Sequence, residues 1–142
     1  MRYLTKMCAL PMKKVLVIDD DVYLLDVLQM ALTDAGYSVK CVTLVNDLSG
    51  LIKDFNPDLI LIDLILNGAH GGDVCAYLKQ QAETANLPIV IFTAGHNPEW
   101  RAGSFGCDEF IFKPFDLFDL IDKVSYMLRV GVYRNRAEST NI

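Results

Sequence analysis

The residues best equipped for chemistry in this chain are acids at the ends of apolar runs. Asp63 closes the run Leu59, Ile60, Leu61 and Ile62, and a second run, from Val15 to Ile18, ends in Asp19, Asp20 and Asp21. If both runs are strands of one sheet, these carboxylates meet at one edge. Crowded carboxylates resist full ionisation unless a cation or hydrogen bonds compensate. A hard, oxygen-seeking divalent ion is the simplest compensation, and Mg²⁺ is commonly held by one or two carboxylates with water and phosphate oxygens completing its shell. Asp19, Asp20 and Asp63 suit that role. Thr93 and Lys113 follow two further apolar runs and add a hydroxyl donor and a positive charge. A phosphoryl group in transfer spreads negative charge over its oxygens, so it needs in-line positioning and cationic or donor stabilisation. Beside such groups the Asp63 carboxylate can act as a nucleophile and form an acyl phosphate.

The elements that must bring these residues together alternate along the chain. Strands are expected at 14–18, 38–42, 59–62, 89–92 and 110–112. A helix is expected at 22–35, where Leu24, Leu25, Leu28, Ala31, Leu32 and Ala35 recur at helical spacing before Gly36. Others are expected at 45–55, ending before Pro57, and at 73–81, after a glycine-rich loop at 67–72. A short helix should start at Asn97, Pro98 and Glu99, which combine a cap, a first-turn proline and an acid. Asp116 caps a last helix whose inner face is Leu117, Leu120, Ile121, Val124 and Leu128. Strands and helices in this alternation predict an α/β fold, a five-stranded parallel sheet with helices on both faces. Ligands of such sheets sit at the carboxyl ends of the strands, where Asp19, Asp20, Asp63, Thr93 and Lys113 all fall.

The chain has 142 residues, the size of one domain, with 52% hydrophobic residues and a net charge of -5. The acidic balance argues against nucleic acid as a partner, since non-specific binding relies on clustered Lys and Arg. The four cysteines, Cys8, Cys41, Cys75 and Cys107, form no paired motif, which fits free thiols in a reducing cytoplasm. Neither a secretory signal nor a membrane-spanning run is apparent, so a soluble cytoplasmic protein without membrane contact is expected. Residues 1–12 read as an extension, 13–130 as the domain and 131–142 as a polar tail that frays.

Taken singly, each of these residues has an ordinary reading: a helix-start acid, a loop cap, a surface lysine, a strand-end threonine. Taken in order, the segments 15–21, 59–63, 89–94 and 110–115 resemble the four signature segments of the receiver domain of two-component response regulators, over about residues 13–130. The resemblance implies a stand-alone domain with a flavodoxin-like, doubly wound sheet of order 2-1-3-4-5. It implies Asp63 as phosphoacceptor, Asp19 and Asp20 as the acidic metal pair, the backbone carbonyl of Ile65 as a further Mg²⁺ ligand, and Thr93 and Lys113 as contacts of the phosphoryl group. A histidine kinase or phosphotransfer protein would donate that group, the domain would catalyse its own modification, and an unknown downstream protein would read the result. Phe110 matches the aromatic switch position, which turns inward as Thr93 moves toward the phosphate.

The chain departs from that pattern in two places. Asn67 stands where many receivers have proline. The stretch from Thr93 to Lys113 is short, and Gly103 interrupts its helix at a cost of about 1 kcal/mol relative to alanine, which weakens a face that normally helps form the output surface. His70 and His96 read as solvated loop histidines, and Trp100 as either core or a partner anchor. Two rival readings have tests. A degenerate, binding-only receiver would fold but take no phosphate. A haloacid-dehalogenase-type phosphohydrolase would use Asp19 and Asp21, although Tyr23 stands where that pattern has Thr or Val.

Overall fold

The apolar runs become strands because burial on both faces of a parallel sheet leaves no place for polar side chains between them. The computed structural model describes residues 11–43 and 46–140. Its elements are β1 (Lys14–Ile18), α1 (Val22–Asp34), β2 (Ser38–Val42), α2 (Leu48–Phe55), β3 (Leu59–Asp63), β4 (Ile65–Leu66), β5 (Ala69–His70), α3 (Gly71–Gln80), β6 (Ile89–Thr93), β7 (Glu109–Phe112) and α4 (Leu117–Thr140). A 3₁₀ turn lies at Ser104–Gly106. Five strands form one parallel sheet in the order β2-β1-β3-β6-β7, the expected 2-1-3-4-5 arrangement with β6 and β7 as its fourth and fifth strands. On one face Val15, Val17, Leu61 and Phe92 pack against Leu25, Leu28 and Leu32 of α1 and Leu120, Val124 and Leu128 of α4. On the other, Leu16, Ile18, Ile60 and Ile62 meet Cys75 and Leu78 of α3, with Ile52 and Phe55 of α2 at the margin.

Several boundaries differ from expectation, each for a local reason. Helix α2 begins at Leu48, because the Asp47 side chain accepts from the Gly50 N–H and caps it there; Val45, the expected start, lies outside the described residues. The expected loop at 67–72 contains a hairpin in which β4 and β5 pair antiparallel around Asn67 and Gly68. Gly68 takes a φ of 78°, a left-handed value that glycine adopts without penalty. Helix α3 then starts at Gly71, two residues before Asp73. At Gly71 the demand is for space: a Cβ there would overlap the backbone carbonyl of Asp63.

The helix expected from Asn97 does not form. Its cap does, since Asn97 Oδ1 accepts from the Glu99 N–H at 3.0 Å and the Trp100 N–H reaches the Asn97 carbonyl at 3.0 Å. One turn fixes several dihedrals for little return, so it propagates only where further bonds follow. Here Gly103 at φ 93° and Phe105 at φ 58° turn the chain out of helical geometry. Among the described residues the sheet is therefore covered by four α-helices and an irregular segment between β6 and β7.

Helix α4 runs to Thr140, so the tail expected to fray from 131 is helical in its described part. No proline interrupts it after Pro114, and Arg134, Arg136, Ala137 and Glu138 are good helix formers. Residues 1–10 of the expected extension lie outside the described residues. Among the described residues no helix is long and apolar enough to cross a membrane.

At the amino-terminal edge of the sheet the Lys79 ammonium sits 2.7 Å from Asp108 Oδ2 and donates to the Leu87 carbonyl at 2.8 Å. The same Asp108 oxygen accepts from the Ile89 N–H at 2.8 Å. This network ties α3 to the starts of β6 and β7.

Candidate functional site

At the opposite edge, the parallel register brings the carboxyl ends of β1, β3, β6 and β7 side by side. Asp19 follows the last residue of β1 and is held by its N–H, which donates to the Val42 carbonyl at 3.2 Å. Asp63 ends β3. Both are buried, at 1% and 7% exposure. Lys113 leaves β7 with its N–H on the Thr93 carbonyl at 2.8 Å, and the Lys113–Pro114 peptide is cis. Its side chain lies with Nζ 4.6 Å over the Phe92 ring and ends in a bridge: Nζ donates to Asp19 Oδ2 at 2.8 Å and to Asp63 Oδ2 at 3.1 Å. Three residues far apart in sequence thus meet through one ammonium group.

The second oxygens of both aspartates are also placed by the backbone. Asp19 Oδ1 accepts from the Asp21 N–H at 2.8 Å, and Asp63 Oδ1 from the Ile65 N–H at 3.3 Å. Asp20 Oδ2 accepts from the Asn67 N–H at 3.2 Å, which ties the hairpin tip to the acidic edge. Burial raises the pKa of Asp19 above its ordinary value, with the Lys113 and Asp21 hydrogen bonds opposing. Burial works to lower Lys113, but the hydrogen bonds and charges of Asp19 and Asp63 more than offset it, so the ammonium titrates above its usual range.

Carboxylate oxygens of Asp19, Asp20 and Asp63 lie within 4.8 Å of one another. Three carboxylates face one ammonium, and the donor set is all oxygen. That chemistry fits a small hard dication and disfavours softer metals, which prefer nitrogen or sulfur.

Thr93, 1% exposed, ends β6 next to this cluster, and its Oγ1 accepts from the Gly95 N–H at 3.2 Å. Phe110 is buried on the sheet, its ring stacked on Trp100 with centroids 5.6 Å apart and 29° between planes. The Asp21 side chain caps α1: its Oδ1 accepts from the Tyr23 and Leu24 N–H groups. His96 is exposed. His70 lies on β5, edge-on to Phe105 at 5.4 Å. Cys41, Cys75 and Cys107 are free thiols, as expected, and Cys8 lies outside the described residues.

Sequence reasoning did not find the Asn67 contact with Asp20. Its signal was present, since Asn-Gly between short extended segments is a strong hairpin mark.

Residues 15–125 match the model of the response regulator receiver domain. Among solved structures, the chain is similar to a two-component response regulator from Clostridium difficile, with 27% identity, 82% of this chain and 96% of that chain covered, and a TM-score of 0.73. It is also similar to the signal receiver domain of a signal transduction histidine kinase from Syntrophus aciditrophicus, with 25% identity, coverage of 82% and 90%, and a TM-score of 0.74. A CheY-like receiver domain protein from Methanospirillum hungatei JF-1 shares the fold at 23% identity, coverage of 87% and 99%, and a TM-score of 0.77. With the family match spanning most of the chain, and the acids, hydroxyl and lysine at the strand ends where its signature segments lie, this chain belongs to the response regulator receiver domain family of two-component systems.

Proposed function

We propose that this receiver is a phosphoacceptor: Asp63 takes a phosphoryl group from a phosphohistidine of a histidine kinase or phosphotransfer protein, with Mg²⁺ as cofactor, and signals by contact with a downstream protein. The observation that carries this reading is the Lys113 bridge to Asp19 and Asp63, a cation held against a buried carboxylate that has further carboxylate oxygens around it. In the reaction an Asp63 oxygen attacks phosphorus while the phosphorus–nitrogen bond of the donor breaks and the imidazole leaves. Lys113 exchanges its contact with Asp63 for a phosphoryl oxygen, and the Thr93 hydroxyl donates to another.

Asp19, Asp20, Asp63 and the backbone carbonyl of Ile65 would hold Mg²⁺, which when bound neutralises charge on the transferring group. Support for Ile65 comes from the hairpin. The Gly71 N–H donates to the Leu64 carbonyl, and the Ile65 N–H turns to Asp63. Ile65 therefore occupies a non-hydrogen-bonded position of the β4–β5 pair, where N–H and C=O of one residue project to the same side, here that of Asp63. Thr93 and Phe110 form the switch in this reading, with Phe110 already inward.

Incubation with Mg²⁺ and a small phosphodonor should add one phosphoryl mass at Asp63 by intact and peptide mass spectrometry. Asp63→Ala should abolish it and Lys113→Ala should slow it. Labelling that survives unchanged in Asp63→Ala would overturn the assignment.

A further inference from the structure

The segment between β6 and β7 covers the sheet face without an α-helix, and it presents Trp100 and Phe105 to the core cluster on that side. Trp100 makes two contacts that join the site to the switch aromatic. Its indole lies against Gly95 so closely that a Cβ there would stand 2.9 Å from Cζ3 and 3.5 Å from Thr93 Oγ1. Its other contact is the stack on Phe110. Gly95 itself donates its N–H to Thr93 Oγ1.

We propose that Trp100 is a positioning residue that relays the state of Asp63 from Gly95 to Phe110, so that phosphorylation is read out at the Trp100–Phe110 stack. The inference rests on Asp63 being the phosphoacceptor. In this relay Thr93 turns toward a phosphoryl oxygen by a change of χ1 rotamer, and because staggered wells lie about 120° apart the turn moves Oγ1 off the Gly95 N–H. A backbone N–H beside a buried site must find another partner, so residue 95 moves. Gly95 carries the indole in direct contact, and interiors packed at crystal density transmit such shifts as discrete repacking. The indole then slides on Phe110, and the aromatic pair with Phe112, centroids 5.2 Å from Phe110, is re-presented at the exposed edge of β7. A regular helix in this place would spread the same displacement over many contacts; a single ring does not.

Trp100 is the chain's one tryptophan, which gives a direct readout. Emission should be recorded in Mg²⁺ before and after phosphorylation, with the phosphorylated fraction measured in the same sample by mobility shift, and repeated with beryllofluoride as phosphoryl mimic. The expected result is a change in intensity or emission maximum that grows in proportion to the modified fraction and is absent in Asp63→Ala. In Thr93→Ala, modification should persist at a lower rate while the emission change disappears, a split that mere packing of Trp100 would not produce. Gly95→Ala, checked for folding by circular dichroism, should show altered emission before any phosphodonor is added, because its Cβ displaces the indole. Full modification with unchanged emission overturns the relay and leaves the phosphoacceptor assignment standing. An equal emission change in Thr93→Ala overturns it as well. Absence of modification with either reagent overturns both.

Discussion

Two lysine–aspartate networks sit at opposite edges of the same sheet, and they differ in what is left over. Lys79 and Asp108 meet at 2.7 Å with side-chain exposures of 17% and 13%, and Lys113 and Asp19 meet at 2.8 Å with exposures of 19% and 1%. By distance and by burial of the lysine the two are alike. Around Lys79, however, the ammonium pairs with one carboxylate and backbone groups take up further bonds: the Leu87 carbonyl accepts from the ammonium, and the Ile89 N–H donates to the carboxylate. Around Lys113 two carboxylates share one ammonium, and a third, that of Asp20, lies within 4.8 Å of them. Charge balance within a network marks a structural clamp, because a buried charge stays where it is most fully paired. Charge surplus marks a place that a ligand completes, and its cost to the apo fold is the kind of trade between stability and activity that functional sites show.

The sharpest way to break the comparison is to delete one acid from each network. Asp63→Ala should lose phosphoryl labelling entirely while melting normally. Asp108→Ala should keep labelling under native conditions but lose about 3 kcal/mol of stability, since it strands a partly buried ammonium and the Ile89 N–H. Urea unfolding of the two variants beside wild type checks both; a stable Asp108→Ala protein would erase the distinction.

A pH series probes the clamp edge further. Burial pushes the Cys75 thiol up to about 12, with Cys107 and Asp108 adding to the effect, against a usual value of 9.0. The folded state therefore keeps a proton that the unfolded state releases. Stability is fully present below about pH 9 and falls as pH rises toward 12, by up to about 1.4 kcal/mol per pH unit from this thiol. Unfolding midpoints at about pH 8 and about pH 10 should differ in that direction, and Cys75→Ala should shrink the difference without removing it, because burial also pushes the Cys41 thiol up to about 11 and raises Cys107.

The other edge should answer to metal instead. Mg²⁺ at ten times its dissociation constant should stabilise wild type by about 1.4 kcal/mol, and Asp20→Asn should remove that response without moving the apo melting temperature much. The smallest effect carries the opposite sign. Asp19→Asn should slightly stabilise the apo protein, because it removes a charge that burial disfavours. It should abolish the Mg²⁺ response as well. Thermal melts with and without Mg²⁺ read both outcomes, and destabilisation by Asp19→Asn would place that edge with the clamps.

The same contrast explains what could be read from sequence. Asp19, Asp63, Thr93 and Lys113 each follow an apolar run, so a parallel sheet aligns them wherever its exact register falls. The clamp offered no such mark, for Lys79 and Asp108 are joined only by tertiary packing across 29 positions. The failed helix after Asn97 shows the limit of local signals. Its cap chemistry was sound, but a cap satisfies bonds at a helix end and cannot supply the apolar face that makes propagation worthwhile. The Lys113 bridge was also beyond reach, because sequence set the lysine at the right edge without saying which acids it would hold before any phosphate arrives.

Gly71 carries a final consequence. Its Cα packs against the backbone carbonyl of Asp63 with no room for a Cβ, so the start of α3 and the reactive residue touch main chain to main chain. Saturation mutagenesis should find this position closed to every other amino acid, alanine included. Such variants would lose function with every charged and hydroxyl group still in place, and a survey restricted to reactive side chains would pass over the position entirely.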